Sequence, residues 1–581
     1  LRPGAILRGA FYGRMKSVFG VAGDVVPGDL RRLRKRLEAG GAVVETLRAP
    51  GLEMLLVGRS AKELLHSRVA EGGRHALVVG RPLPADRPSG PEMLRDTLWG
   101  SPANGDTATD SWLGEFNLFR VDPIERSLQI DTDCLGVRPL FVRSSAGRAV
   151  FGSEVLPMVE AGLVPSRLDP DALAAWLLLE HPLNGRSLVD GLHRLPPGRA
   201  RIDLGAGTLE LRPFHWKEGD DDLARSDLVE RIGASVDGLL SRVIRDESRI
   251  GSFLSGGYDS RYVACRLVAL GHRPDEAVLV DAAAGDAGPG REVAERLGIP
   301  LRIVPVDGSL VDAFEDPWFF APHGFPQRSF YTSLALADAA DPPPMVDGLL
   351  GDDLIRGWVF EQKVQQRSPR AGELTQGLLD AHLSMRPETL FDPASSRRLR
   401  ERVLAQIHAF RPEGLESETR RAWLWVLMHR TRDFHAKNHL QVLDRTETYH
   451  PFVTPELISL RLGHRASLFD AGLYEELLRT YCPELEGIPH SETLPRPDLA
   501  HHRYSREMRD RTPGLLTMVA LQGGKMGLNR SRLAPRLAAY GVGDRNQLYV
   551  TRPLDRIRVL GARAAAFGAE LPWTELNEPA A

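Results

Sequence analysis

Cysteine is nearly absent: Cys134, Cys265 and Cys482 are the only three in 581 residues, far apart and in no C-x-x-C spacing. That excludes a disulfide-stapled scaffold and a cysteine-rich zinc site. Lysine is almost as scarce. Lys16, Lys35, Lys62, Lys217, Lys363, Lys437 and Lys525 are the whole set, so arginine carries the basic charge and few candidates exist for a catalytic lysine. No run approaches the ~18 apolar residues of a membrane span, and the start, Leu1 to Ala5, has no signal-peptide hydrophobic region. Neither sign of charge dominates; the formal net charge is −3, which argues against a nucleic-acid or membrane-surface role. These absences predict a soluble cytoplasmic protein with no nucleic-acid and no membrane partner. What is present is length and apolar content: 42% of the residues are hydrophobic, enough for substantial cores in more than one domain.

Glycine is concentrated where chemistry would need it. Ser255-Gly256-Gly257-Tyr258-Asp259-Ser260 follows a short apolar run, Arg249 to Leu254, and precedes Arg261 to Leu270, which can form a helix with an apolar face. A strand that turns through two glycines into a helix presents backbone N–H groups and the positive helix end to an anion. Gly256 and Gly257 let the backbone approach phosphate oxygens, Ser255 and Ser260 can donate hydroxyls, and Asp259 can hold Mg²⁺. Neither a Walker loop nor a dinucleotide fingerprint is present. Ser-Gly-Gly-x-Asp-Ser resembles the pyrophosphate loop of ATP pyrophosphatases, and that resemblance implies acyl-adenylate chemistry with release of pyrophosphate.

Two patterns divide the chain. Residues 1–210 read as mostly β: runs such as Ala76 to Val79, Phe116 to Val121 and Ser127 to Asp131 are separated by Gly, Pro and Asp turns, with helices over Gly28 to Ala39 and Asp169 to Glu180. From about 225 helices alternate with strands, over Ser226 to Glu247, the Phe253 strand, the Arg261 helix, Glu276 to Val280, Gly290 to Leu297 and Leu301 to Val306. That alternation predicts a parallel sheet covered on both faces, with a nucleotide at the carboxyl ends of its strands. After Gly357 the pattern is helical to about 480 and less clearly so beyond. The expected units are residues 1–210, residues 225–555 and a C-terminal tail over 556–581.

The β-rich part carries a second resemblance. Asp133 to Phe141, then Phe151-Gly152-Ser153-Glu154, then Leu195-Pro196-Pro197-Gly198 are similar in order and spacing to class II glutamine amidotransferase domains, with Trp112 to Phe116 matching the preceding strand. The fold implied is an Ntn-type α-β-β-α sandwich, fused as in asparagine synthetases to an adenine nucleotide α-hydrolase-like domain. The family's nucleophile is an N-terminal cysteine with its own α-amine as base. No cysteine precedes Cys134, and Gly4-Ala5-Ile6-Leu7 stands about where the family has it. The resemblance therefore implies a glutaminase-like domain that yields no ammonia from glutamine.

Asp347 to Gly357, reading DGLLGDDLIRG, resembles the second acidic loop of the asparagine synthetase family. The family pattern implies that Asp352 joins Asp259 in binding Mg²⁺ on the ATP phosphates, a pairing chemically sufficient for a hard cation. It also implies that Leu254, Val280, Asp347 and Gly348 flank the nucleotide. Glu447 to Thr454 resembles the family's Glu-x-Arg-x-Pro-Phe-Leu-Asp segment, with Tyr449 in place of arginine and Thr454 in place of the aspartate. A later Arg-x-Lys element would fall near Leu494 to Asp498, where the lysine is missing; Arg496 or Lys437 is left to neutralise the leaving pyrophosphate. His435 and His439, with Arg432, Asp433 and Lys437 beside them, are candidates for a polar pocket wall; no HExxH motif exists.

An asparagine-synthetase-like chain without a glutaminase must use another amine. β-Lactam-type synthetases and lasso peptide cyclases (macrolactam synthetases) resemble it in this respect. The former carry a tyrosine just before the acidic loop's aspartate, whereas Gly348-Leu349-Leu350-Gly351 has none. The aromatic pairs Phe319-Phe320 and Phe330-Tyr331 suit a peptide, and Tyr481 to His490 looks more like lasso cyclases than like asparagine synthetases. The lasso resemblance implies adenylation of an Asp or Glu side chain in a leader-cleaved precursor, attack by the peptide's own α-amine, and partnership with a leader-binding protein and a protease. The alternative is an amide synthetase of asparagine synthetase or β-lactam type acting on a small molecule, using an amine other than glutamine-derived ammonia.

Overall fold

The structure, a computed structural model, describes residues 16–26, 28–98, 112–216, 223–281, 287–305, 336, 341–357, 374–436, 440, 442–443, 445–464, 468–493, 507–541, 548–566 and 571–576. Among the described residues twelve strands form the first domain: β1 (Ser17–Gly23), β2 (Val43–Ala49), β3 (Leu52–Gly58), β4 (Arg68–Glu71), β5 (Arg74–Leu83), β6 (Leu113–Asp122), β7 (Ser127–Thr132), β8 (Phe141–Ser145), β9 (Arg148–Gly152), β10 (His193–Arg194), β11 (Gly198–Asp203) and β12 (Leu209–Pro213). They make two antiparallel sheets, in the orders β10-β8-β9-β1-β3-β2 and β12-β11-β7-β6-β5-β4. Alternate side chains of both sheets, among them Val18, Met54, Phe119, Ile130 and Phe151, share one core cluster, as the period of two along a strand requires. The outer face of the first sheet is covered by helices Arg31–Ala39 and Val155–Glu160 through Leu33, Leu37, Val155 and Met158. The first of these begins three residues later than the expected Gly28, because Gly28 sits at φ 92° and its carbonyl accepts from the Arg31 N–H in a turn ahead of the helix.

Helix Pro170–Leu179 joins the two halves of the chain. Asp169 caps it, its Oδ1 accepting from the N–H groups of Asp171 and Ala172 at 2.9 and 3.0 Å, and Pro170 occupies the first turn. Every residue from Ala172 to Leu179 is buried, which marks a helix enclosed on all sides rather than lying on a surface. It packs on helix Pro393–Ala409, where the Gln406 amide donates to the Asp171 carbonyl at 3.0 Å.

Among the described residues the second domain is built on five parallel strands, β13 (Gly251–Phe253), β14 (Glu276–Asp281), β15 (Leu301–Pro305), β16 (Met345–Val346) and β17 (Thr448–Tyr449), in the order β15-β14-β13-β16-β17. Helices Arg225–Asp246, Tyr258–Ala269 and Ala287–Leu297 alternate with them as the sequence pattern predicts. The mixed α/β architecture is thus a two-sheet sandwich followed by a parallel-sheet domain. Beyond 480, where the sequence pattern is weak, the chain is again helical over Thr512–Gln522, Arg530–Gly541 and Leu548–Ala566. Pro513 in the first turn and Pro535 and Pro553 inside helices obscure that periodicity. Position 556, expected to open a tail, lies within the last of these, and Leu554, Ile557, Val559 and Leu560 are buried in the large core cluster. All three cysteines are free thiols, and among the described residues no helix is long and apolar enough to cross a membrane.

Candidate active site

The site forms where β13 and β16 end. β13 passes through the buried Leu254 into the glycine loop, and Gly257 precedes the first turn of helix Tyr258–Ala269 without any side-chain cap. The loop is shaped from within. Ser260 Oγ accepts the Ser255 N–H at 3.0 Å and meets Ser255 Oγ at 2.9 Å, while Ser255 Oγ accepts the Gly257 N–H at 3.2 Å. The N–H groups of Gly256 and Asp259 are left with no hydrogen bond to a described residue. Unpaired amides at a helix start are the donors an anion takes. Arg261, buried, fastens the loop from behind, donating to the carbonyls of Gly256 (3.1 Å), Ile488 (2.9 Å) and Pro489 (3.1 Å). The Ser491 N–H also reaches the Gly256 carbonyl at 3.1 Å, and the Tyr258 and His490 rings lie 4.3 Å apart. The segment 488–491 is therefore a wall of this loop.

β16 runs directly into the acidic loop. Asp347 is half-buried; its N–H donates to the Tyr449 carbonyl and its Oδ1 accepts from the Leu349 N–H at 3.1 Å, so the side chain shapes its own turn. Two glycines then make room for Asp259. A Cβ on Gly348 would lie 2.5 Å from the Asp259 carbonyl carbon and the Ser260 nitrogen, and one on Gly351 would lie 2.7 Å from the Asp259 carboxyl. Between them the buried Leu350 is held at φ 76°, a left-handed conformation that costs about 1–3 kcal/mol in a non-glycine residue. The strain lets the loop turn back, and the Asp352 N–H donates to Asp259 Oδ2 at 3.1 Å. A single π-helical turn, Asp352–Arg356, follows, with Arg356 3.4 Å from the Asp352 carboxylate.

Two carboxylates thus meet at the strand ends. Burial, and then the neighbouring Asp352, push the Asp259 carboxyl well above its ordinary range, and its Oδ1 is buried without a hydrogen-bond partner. A hard cation would relieve both penalties, so these residues fit Mg²⁺; among the described residues no group of three or more potential ligands exists, and phosphate oxygens would complete the shell. Tyr474, from helix Ala471–Tyr481, brings its buried hydroxyl up to Asp259. Asp353, next in line, faces away: Thr431 Oγ1 donates to it at 2.7 Å and His435 Nδ1 lies 3.2 Å away, and these partners hold its carboxyl below the usual range.

Of the residues expected from the sequence, Ser255, Gly256, Gly257, Asp259, Ser260, Asp347, Gly348 and Asp352 are brought together here. Leu254 is buried in the core, and Val280 is half-buried near the end of the adjacent β14. Arg496, Lys437, His439, Gly4 to Leu7 and the aromatic pairs at 319–320 and 330–331 lie outside the described residues. Tyr474 and the Asp353–His435 contact carry no local signal in the sequence beyond the expectation that His435 belongs to a polar pocket wall.

The segment resembling Glu-x-Arg-x-Pro-Phe-Leu-Asp performs different work with its altered residues. Tyr449 donates its hydroxyl to Glu247 at 2.5 Å, and Thr454 caps helix Pro455–Gly463 while bonding Ser235 at 2.7 Å. Glu447 pairs with Arg138 and His450 with Glu115, both across the domain boundary.

Comparison with known proteins agrees with this division. Residues 100–215 match the glutamine amidotransferase domain family and residues 235–481 the asparagine synthase family. A protein from Mycobacterium bovis, provisionally named a glutamine-hydrolyzing asparagine synthetase, is 30% identical over 173 residues, 28% of this chain and 26% of that protein. A Mycobacterium tuberculosis protein of the same name matches to the same extent. The match thus spans about a quarter of the length of these relatives. Among solved structures, the glutamine phosphoribosylpyrophosphate amidotransferase of B. subtilis, complexed with ADP and GMP, is 11% identical with a TM-score of 0.23, covering 51% of this chain and 82% of its own. A structure described as the allosteric regulatory enzyme of purine biosynthesis gives 11% and 0.24, over 59% and 75%. The architecture rests on the strand order and the two family matches rather than on these likenesses. With an amidotransferase-type sandwich ahead of an asparagine-synthase-type sheet, the chain is similar to asparagine synthetases in the order of its two domains.

Proposed function

We propose that this protein is an ATP-dependent ligase that forms a C–N bond with release of AMP and pyrophosphate, and that its substrate is a leader-cleaved peptide closed into a macrolactam. The observation that carries the ligase reading is the meeting of Asp259 and Asp352 beneath two unpaired loop amides at the strand ends. The Gly256 and Asp259 N–H groups would bind phosphate oxygens, and Asp259 and Asp352 would hold Mg²⁺. The metal, when bound, neutralises charge on the phosphates. A substrate carboxylate then displaces pyrophosphate from the α-phosphorus to give an acyl-adenylate, and an amine displaces AMP, losing a proton as the amide forms.

The choice of amine is the finer part of the reading. A lysine, Lys16, stands at the head of β1 in the amidotransferase-type sandwich. The Tyr481 to His490 segment, which resembles lasso cyclases, ends on the loop wall at Ile488, Pro489 and His490. Intramolecular attack by the peptide's own α-amine needs no ammonia source and is favoured by proximity, worth up to ~7–11 kcal/mol in well-oriented cases. The names of the relatives favour a second reading, an amide synthetase acting on a small carboxylate.

Incubation of a leader-cleaved peptide with the protein and ATP distinguishes the two. The first reading expects loss of the mass of one water, with AMP and pyrophosphate formed, and no ring when the α-amine is acetylated. Efficient formation of asparagine from aspartate and ammonia, with no peptide cyclised, overturns it in favour of the second.

A further inference from the structure

A cavity of about 740 Å³ opens between the two domains, at the end of the parallel sheet opposite the nucleotide loop. Strands β13, β16 and β17 are entered from Glu247, Pro344 and Glu447, all of which line this cavity, and they exit at Leu254, Asp347 and His450. Its volume is in the range of sites for small organic ligands, roughly 300–1,000 Å³. We infer that this interdomain cavity is a second binding site, which takes the carboxylate of an amphipathic monoanion on Lys16.

Lys16 is 8% exposed, yet it makes no hydrogen bond or ion pair with any described residue. Burial lowers its ammonium to about 8, with Arg81 and Arg138 adding repulsion. The carboxylates around it are already engaged. Glu447 pairs with Arg138, Glu63 with Arg59 at 3.3 Å, and Glu247 takes the Tyr449 hydroxyl and lies 3.9 Å from Arg81. Lys16, Arg59 and Arg81, with Arg138 behind them, therefore face Glu63, Glu247 and Glu447, while Lys62 and Arg445 add further positive charge to the lining; Lys16 is the buried cation left without a partner among the described residues. Asp341, at the rim, is paired outward with Arg249.

At Lys16, with the Glu63 and Glu447 carboxylates close by, a monoanion fits better than a phosphate dianion, which those carboxylates would repel more strongly. Val78, Met93 and Pro342 line the same cavity and would cover an apolar body. The carboxylate could come from a free acylated amino acid or from the C-terminus of a peptide; both present the same group to Lys16.

The test needs neither ATP nor turnover, so its result is separate from that of the ligase reading. The full chain is acylated with an amine-reactive ester at mildly alkaline pH, and labelling of Lys16 is read by peptide mass spectrometry against the exposed Lys525. N-acetylnorleucine is expected to slow labelling of Lys16 several-fold and leave Lys525 unchanged, while its amide protects neither. A tripeptide with a free C-terminus, compared with its C-terminal amide, shows whether a peptide carboxylate also serves. Thermal stabilisation by N-acetylnorleucine should vanish in Lys16→Met; if that variant does not fold, the labelling result stands by itself. Lys16 labelling that is unaffected by carboxylates, equally blocked by the amide, or absent from the free chain overturns the proposal.

Discussion

The backbone N–H of Asp352 donates to the carboxylate of Asp259 at 3.1 Å, tying together two loops 93 residues apart in sequence. The contact exists because Gly348 and Gly351 have no side chains to hold the loops apart. It sets both carboxylates at the strand ends, where open parallel sheets bind their ligands.

Gly348→Ala places a methyl group 2.5 Å from backbone atoms of Asp259 and Ser260, which cannot yield as a flexible side chain would. The expected result is a loss of about 1–3 kcal/mol in urea unfolding together with a large loss of pyrophosphate release. Gly238→Ala is the matched control, because that helical glycine has open space around its Cβ position. It should gain roughly 0.5–1 kcal/mol and keep activity.

Arg261→Met removes the donors to Gly256, Ile488 and Pro489 while keeping most of the side-chain volume. The loop wall at 488–491 should loosen. The KM for ATP is expected to rise several-fold, with a smaller change in kcat, and faster amide hydrogen exchange at Gly257 and Ser491, whose N–H groups are bonded in this loop, would report the cause directly. Unchanged KM and exchange would show that the clamp does not shape the loop.

Glu447 is held at about 2, down from the ordinary 4.5, because Arg138, Arg81 and Lys16 offset its burial. A depressed carboxylate contributes stability that is complete above its unfolded value and is lost as pH falls from about 4.5 towards 2. The shift corresponds to about 3 kcal/mol. Unfolding of wild type should therefore weaken across that window more steeply than unfolding of Glu447→Gln, whose stability should be lower at neutral pH and flatter in acid.

The parts of the site that were legible in the sequence are those made by neighbours in the chain. Ser255 to Ser260 and Asp347 to Gly357 each combine a strand end, a glycine turn and a carboxylate within a dozen residues, so their chemistry shows in the spacing. Tyr474 and Asp259 are 215 residues apart, and nothing local to either marks the contact. Lys16 looks like an ordinary surface lysine until β1 carries it to the domain boundary beside Glu447. The helices after 480 are only weakly marked in the sequence for a different reason, since Pro535 and Pro553 interrupt the apolar period that reveals a helix. Tyr449 and Thr454 were visible as departures from the family segment, but their new partners, Glu247 and Ser235, are more than 200 residues away.

In the proposed reaction Asp259 and Asp352 act on one nucleotide as a pair. Pyrophosphate exchange into ATP, with a carboxylate substrate and Mg²⁺, measures this in wild type, Asp259→Asn, Asp352→Asn and the double variant. A loss of at least about 100-fold is expected in each single variant, roughly 2.7 kcal/mol or more of barrier, with little further loss in the double, because both carboxylates serve the same step. Near-wild-type exchange in either single variant would contradict it.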